Sequence, residues 1–329
     1  MQNFIFIGTD VSKLTLDHGI HQGMVHQKTA NNNAGFKSWL KWALGFGRKE
    51  QLWVVMEHTG YYSYQFELFL HQHQVPYTKV AALEIKRSVG LVRGKSDKVD
   101  ALLISRYAWM NHDRLEPQQL SAAVMTELKD LVNLRDKLVR DRSGYKARMK
   151  EQAATRKYAK SHIQNKIQLR MIKELTTDIQ EVEAAIKGLI KEDDALFNNY
   201  KLLLSIKAVG FVTAVYMLAY TDNFRKFLNS RKFACYAGLA PFEHTSGTAL
   251  RGKNRVSHYA NKKAKCLLNL AASVAIQHNQ ELKIYYRQRI SEGKSKMGTL
   301  NIIRHKLVDR MFAVIKRGTP YVETLTTAA

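Results

Sequence analysis

Two short apolar runs that each lead to a carboxylate restrict what this chain can fold into. Phe4-Ile5-Phe6-Ile7 leads through Gly8 and Thr9 to Asp10, and Leu52-Trp53-Val54-Val55-Met56 leads directly to Glu57. Runs of this length, rich in β-branched and aromatic residues, read as buried strands. A carboxylate at the end of such a strand loses hydration and needs a partner, of which a divalent cation is the strongest. Asp97 and Asp100, in KSDKVDALL, lie three residues apart and share one face if the segment is helical. Four acids of this kind can hold two hard cations through oxygen ligands.

The order of elements around these acids defines the first domain. Strands at 3–8, 14–20 and 24–29 are joined by spacers short enough for an antiparallel arrangement. Asn31-Asn32-Asn33 caps a helix over 35–47 whose apolar face carries Phe36, Trp39, Leu40 and Leu44. A strand at 52–56, a helix at 61–72, a strand at 76–80 and a helix from Asp97 to about Asn111 follow. The order is βββαβαβα, with acids at the ends of the first and fourth strands and at the start of the last helix. That is the α/β plan of an RNase H-like nuclease domain, closed by Pro117. His71 and His73, two apart on a helix, point to different faces and read as surface residues rather than metal ligands.

Residues 119–194 contain no proline and two glycines, and read as long helices. Ile172, Leu175, Ile179, Val182, Ile186 and Leu189 alternate by three and four, a heptad seam that fits a coiled-coil hairpin or an arm pairing two subunits. Beyond it lies a mainly helical part. Its first two helices meet at Ala208-Val209-Gly210, a turn that can aim N–H groups at a phosphate. TSGTALR, at 245–251, is polar and glycine-broken and reads as a loop. Between Glu243 and Thr319 there are 16 Lys and Arg against four acids, interleaved with Tyr259, Tyr285 and Tyr286. With 52 Lys and Arg against 28 acids over the chain, a net charge of +24, this points to a polyanionic partner, most simply nucleic acid held by its phosphates. Cys235 and Cys266 lack the spacing of a zinc site or a disulfide framework and fit a reducing cytosol. The start, MQNFIFIGTD, reads as a strand rather than a signal peptide, and no apolar run reaches the roughly 20 residues that span a bilayer. A cytoplasmic location is expected.

GTDVSK, MEHTG, KSDKVDA and, much later, YAGLAP followed by SGTALRGK together resemble the DEDD transposases of IS110-type insertion sequences, relatives of the Piv/MooV DNA invertase. The resemblance covers nearly the whole chain in order and spacing. It implies a RuvC-like catalytic domain over 1–117, a coiled-coil helical arm over 118–197 and a carboxy-terminal transposase domain over 198–329. It places the family's four acids on Asp10, Glu57, Asp97 and Asp100, holding two Mg²⁺ ions, with Mn²⁺ as a substitute, and its serine nucleophile on Ser246. It further implies DNA as substrate, a bridge RNA as guide, a homo-oligomer (dimer or tetramer) and work at the bacterial nucleoid. Lys13 and Arg251 are candidate phosphate contacts, as are Lys253, Arg255, Lys262 and Lys263 of the basic region. Two departures stand out: the glycine turn, usually like PGIG, is Lys207-Ala208-Val209-Gly210, and the usual SKxGN becomes Ser257-His258-Tyr259-Ala260-Asn261. Two other functions use the same residues differently. A junction-resolving metal nuclease would attack with water and dispense with Ser246. A non-catalytic nucleic-acid-binding protein would dispense with the acids as well.

Overall fold

The computed structural model describes residues 4–58, 60–88, 90, 96–155, 162–246, 250–256 and 259–323, with backbone alone for 243–246 and 250–255. The chain divides into two compact units, Met1–Leu120 and Ser121–Ala329.

The first unit contains β1 (Ile5–Val11), β2 (Thr15–Ile20), β3 (Val25–Ala30), α1 (Asn33–Ala43), β4 (Leu52–Glu57), α2 (Tyr64–Gln72), β5 (Tyr77–Val80), α3 (Ala82–Ser88) and α4 (Asp97–Met110). The sheet order is β3-β2-β1-β4-β5. β1 pairs antiparallel with β2 and parallel with β4, while β3 and β5 complete the antiparallel and parallel edges. The expected order of strands and long helices is therefore present, with α3 added. One boundary differs: β1 runs to Val11, so Asp10 lies inside the strand rather than after it.

Alternation along the strands gives the sheet two different faces. Ile7, Val11, Leu16, Ile20, Val54 and Met56 pack under Phe36 and Trp39 of α1 and Phe66 and Phe69 of α2. On this side His18 sits between the hydroxyls of Thr9 and Thr29, each 3.0 Å away, and burial pushes its pKa down to about 3. It is an uncharged core residue. His73, expected on the surface, is half-buried and stacks on Phe69 with ring centroids 4.0 Å apart. Phe6, Trp53, Val55 and Val80 face the other way and pack with Ile104 and Ala108 of α4. Here the helix lies directly on backbone. A Cβ at Gly8 would overlap the Ala101 carbonyl oxygen and the Ser105 amide nitrogen, and one at Gly19, the cross-strand partner of Gly8, would stand 2.8 Å from the Leu102 amide. The buried Ser105 hydroxyl, donating to the Phe6 carbonyl at 2.8 Å, fixes the helix in that seat.

The second unit begins with two long helices, α5 (Ala123–Thr155) and α6 (Ile163–Glu192). Arg135 pairs with Glu183, Arg142 donates to Thr176, and Gln168 donates to Gln152. The falling partner numbers make the pair antiparallel. Leu175, Ile179, Ile186 and Ile190 of α6 are buried, with Gln168 on the same stripe. The heptad seam therefore closes within one chain, so it is not a free surface for pairing subunits.

α7 (Asp194–Leu204), α8 (Phe211–Tyr220), α9 (Ser230–Tyr236), β6 (Pro241–Ser246), β7 (Leu250–Val256), α10 (Lys262–His278), α11 (Gln280–Ser291) and α12 (Lys296–Arg317) follow. One continuous core runs from Met125 and Leu128 of α5 through Leu203, Tyr216 and Leu268 to Met311 of α12. The segment read as a loop is mostly a two-stranded antiparallel ribbon, β6 with β7, and 247–249 lie outside the described residues. Beyond Thr319, Tyr321 donates its amide to Ser205 at 2.8 Å, and Glu323 pairs with Lys207 at 2.7 Å.

The turn between α7 and α8 carries a local conflict. Ala208 has φ 77°, a left-handed conformation that a Cβ disfavours. Ala208→Gly is expected to raise stability by about 0.5 kcal/mol, the relief of left-handed strain less the added entropy of an unfolded glycine. Urea unfolding followed by far-ultraviolet circular dichroism checks this; a loss of stability would show that the alanine methyl packs favourably enough to outweigh the backbone.

Candidate functional site

The face of the sheet that carries α4 also carries the acids. Phe6, Gly8 and Asp10 alternate on β1, and Asp10 stands opposite Asp17 of β2. Trp53, Val55 and Glu57 alternate on β4 beside them. Because β1 and β4 are parallel, Asp10 and Glu57 lie at the same end of the sheet. The seat of α4 on Gly8 and Gly19 directs its amino terminus to that end. Ser96 caps the helix, its hydroxyl accepting from the Val99 amide at 3.3 Å, and Asp97 and Asp100 occupy the first turn. Carboxylates there are favoured by the helix dipole.

The Asp10 carboxyl registers the arrangement electrostatically. Its pKa is pushed up to about 6, first by burial and then by the charges of Asp100, Asp97, Glu57 and Asp17. Asp10, Glu57 and Asp100 are half-buried, whereas the Asp97 side chain is 60% exposed. An all-oxygen set with mutual repulsion around a half-buried carboxyl fits a hard divalent cation. Among the described residues, however, no three acidic, histidine or cysteine side chains converge as a ready-made ion cage.

The sequence reading missed the basic side chains beside these acids. Asp17 is buried, with His26 Nε2 at 2.8 Å and Lys28 Nζ at 3.3 Å, both supplied by β3 on the same face. Lys28 also reaches Asp97, Nζ to Oδ2, at 3.7 Å. The signal was present as register: once Asp10 is placed in β1, a short hairpin turn sets Asp17 across from it. Lys13 lies in that turn and is exposed.

In the second unit, Ser246 is the last residue of β6 and pairs with Leu250. Its side chain lies outside the described residues, as do those of Arg251, Lys253 and Arg255; Gly247, Ser257 and His258 lie outside them entirely. Lys262 opens α10 and is exposed. Lys263 is committed to Asp136 of α5 at 2.8 Å. Other cations of the basic region also serve the fold: Arg304 is buried and donates to Asn269 and Asn301, and Arg310 pairs with Glu281 at 2.7 Å. The surface available to phosphates is smaller than the count of 16 implies. Asn261 is the last residue of the altered SKxGN motif. It caps α10 through the Ala264 amide, accepts from the Tyr216 hydroxyl at 2.9 Å and donates to the Tyr236 hydroxyl at 2.6 Å. That network fixes the start of α10 immediately after the segment that follows β7.

Known proteins match across both units. A family model described as a transposase, of the DEDD type of IS110 elements, matches residues 7–155. A second, described as the transposase IS116/IS110/IS902 family, matches residues 200–287. The pilin gene-inverting proteins of Moraxella bovis and Moraxella lacunata are each 25% identical over 325 residues, 96% of this chain and 97% of theirs. An uncharacterized 43.6 kDa protein of insertion element IS110 from Streptomyces coelicolor is 25% identical over 154 residues, 46% of this chain and 38% of its own. The first family model takes in all four acids and the second takes in Ser246, and on these matches the chain belongs to the IS110 family of transposases and DNA recombinases.

Proposed function

We propose that this transposase cuts and rejoins DNA through a covalent link to Ser246, aided by divalent metal, most simply Mg²⁺, held by Asp10, Glu57, Asp97 and Asp100. The observation that carries the metal half is the gathering of acids on one face of the sheet, where burial and four acidic neighbours, Asp100, Asp97, Glu57 and Asp17, push the Asp10 carboxyl up. The strand order β3-β2-β1-β4-β5, with α4 laid across it, supports a RuvC-like domain. Gene inversion, named in the Moraxella relatives, is a cut-and-rejoin outcome and favours recombination over simple hydrolysis.

Metal at the acids would polarise the scissile phosphate and offset charge on the attacking and leaving oxygens. The chain's own residues do the remainder. Asp10 and Glu57, on adjacent parallel strands, set two fixed oxygen donors. Asp97 and Asp100 add two more from the capped first turn of α4. The Ser246 hydroxyl attacks phosphorus: a serine O–P bond forms, the P–O bond to the sugar breaks, and the leaving oxygen takes a proton. Attack on the phosphoserine by another strand's hydroxyl reverses these bonds and frees the serine, so no nucleotide cofactor is consumed. Lys13, Arg251, Lys253, Arg255 and Lys262 hold flanking phosphates; a bridge RNA supplies the sequence readout, and subunits pair as a homo-oligomer.

A denaturing gel tests the covalent step. Protein is incubated with element-end DNA, the element's flanking transcript and Mg²⁺. Wild type is expected to give a protein–DNA adduct that Ser246→Ala abolishes. Cleavage without an adduct, unchanged by Ser246→Ala, would make the protein a metal-dependent nuclease that uses water.

A further inference from the structure

We infer that Lys28 is a built-in counter-cation for the acid site, which holds Asp97 away from the other acids until a divalent ion displaces it. This rests on the reading that the four acids bind metal. Three observations lead to it. Lys28 lies on the edge strand β3 and touches acids from two different elements, Asp17 of β2 at 3.3 Å and Asp97 of α4 at 3.7 Å. Asp17 is nearly fully buried and is held from its other oxygen by His26 at 2.8 Å, so it anchors the ammonium to the sheet. Asp97 is exposed where the other three acids are half-buried, and no three described acids converge on one point. A lysine on Asp97 accounts for both.

The ammonium and the metal therefore compete for one carboxylate. Asp17 acts as a positioning residue: it keeps Lys28 in place when Asp97 releases it, so the lysine is retained beside the site. The switch costs little, because the Lys28 and Asp97 side chains are 51% and 60% exposed and such pairs are weak. A weak competitor suits a site that must bind metal at cellular concentrations yet remain neutralised without it.

The test measures Mn²⁺ binding to the DNA-free full-length protein by electron paramagnetic resonance, independently of cleavage. Lys28→Met is expected to tighten Mn²⁺ binding about two- to fivefold, the worth of an exposed ion pair. Lys28→Arg, which keeps the bridge, is expected to bind like wild type. A double-mutant cycle separates contact from the general field of a positive charge. If Lys28 acts through Asp97, its removal changes nothing in an Asp97→Asn background. Unchanged or weaker binding in Lys28→Met would overturn the inference, as would a gain that persists in full beside Asp97→Asn. Asp10→Asn tests the underlying reading separately: Mn²⁺ binding insensitive to it would place the metal elsewhere, and both ideas would fall. Lys28 is on an edge strand and half exposed, so both of its variants are expected to fold; tryptophan fluorescence checks that they do.

Discussion

Asp10→Asn is expected to abolish strand cleavage while making the metal-free protein more stable above pH 6. In the proposed mechanism the loss of activity follows from removing one of four charged oxygen donors, on the order of 10³-fold if the metal contributes several kcal/mol. The gain in stability follows from linkage. The Asp10 carboxyl titrates near 6 in the folded chain, against 3.8 ordinarily, because burial and four acidic neighbours oppose its ionisation. Between about pH 4 and pH 6 the folded protein keeps a proton that the unfolded chain has already released. Stability therefore falls as pH rises through that window and stays lower above it. A displacement of this size carries at most about 3 kcal/mol at 1.36 kcal/mol per pKa unit, which solvent around a half-buried group screens to roughly 1–2 kcal/mol. Asparagine removes the decline. Urea unfolding with chelator at pH 4.5 and pH 8 should show wild type losing this increment and Asp10→Asn keeping it. A mutant less stable than wild type at pH 8 would mean that the carboxylate has a favourable partner already in place.

Gly8→Ala is the second large effect, and it acts on the fold. The added methyl meets helix backbone, the Ala101 carbonyl and the Ser105 amide, neither of which can turn aside as a side chain would. α4 has to lift off the sheet, breaking the Ser105 bond to the Phe6 carbonyl and moving Asp97 and Asp100 away from Asp10. A cost of about 3 kcal/mol, the upper end for overpacking, is expected. All four tryptophans, at 39, 42, 53 and 109, lie in the first unit, so fluorescence reports its unfolding alone. Gly144→Ala is the control, followed by far-ultraviolet circular dichroism because it lies in the second unit: it sits exposed within α5, where a methyl meets nothing within 4 Å, and is expected to gain about 0.5–1 kcal/mol. Equal effects of the two substitutions would show that α4 does not rest on Gly8.

What the chain alone revealed was what local pattern can carry. Apolar runs placed β1 and β4, and the acids that follow those runs marked the candidate site, because a charge beside a buried apolar run is conspicuous. Pairing information was harder to see. Asp17 looks like any strand residue until the β1–β2 register sets it opposite Asp10, and Lys28 matters only through β3. Gly8 and Gly19 are unremarkable until a helix lies on them. The β6–β7 ribbon escaped notice because HTS and LRGKNR have no alternating apolar face to announce a strand. The heptad in α6 was legible as a seam, but periodicity could not say whether the partner was another subunit or α5. The match of residues 200–287 supplied context for Ser246 that its own surroundings, Thr245 and Gly247, could not.

The long hairpin has a mechanical consequence. From Asp136, where Lys263 grips it, α5 continues 19 residues to Thr155, about 28 Å at 1.5 Å per residue. A rod of that length is a lever. A tilt of about 10° at its root carries the far end about 5 Å, from the same rise per residue. Contacts made by Lys263 and the Tyr220–Asn133 bond at the root thus set where the distal end can reach, and a change there too small to disturb the core would be magnified severalfold at the far end.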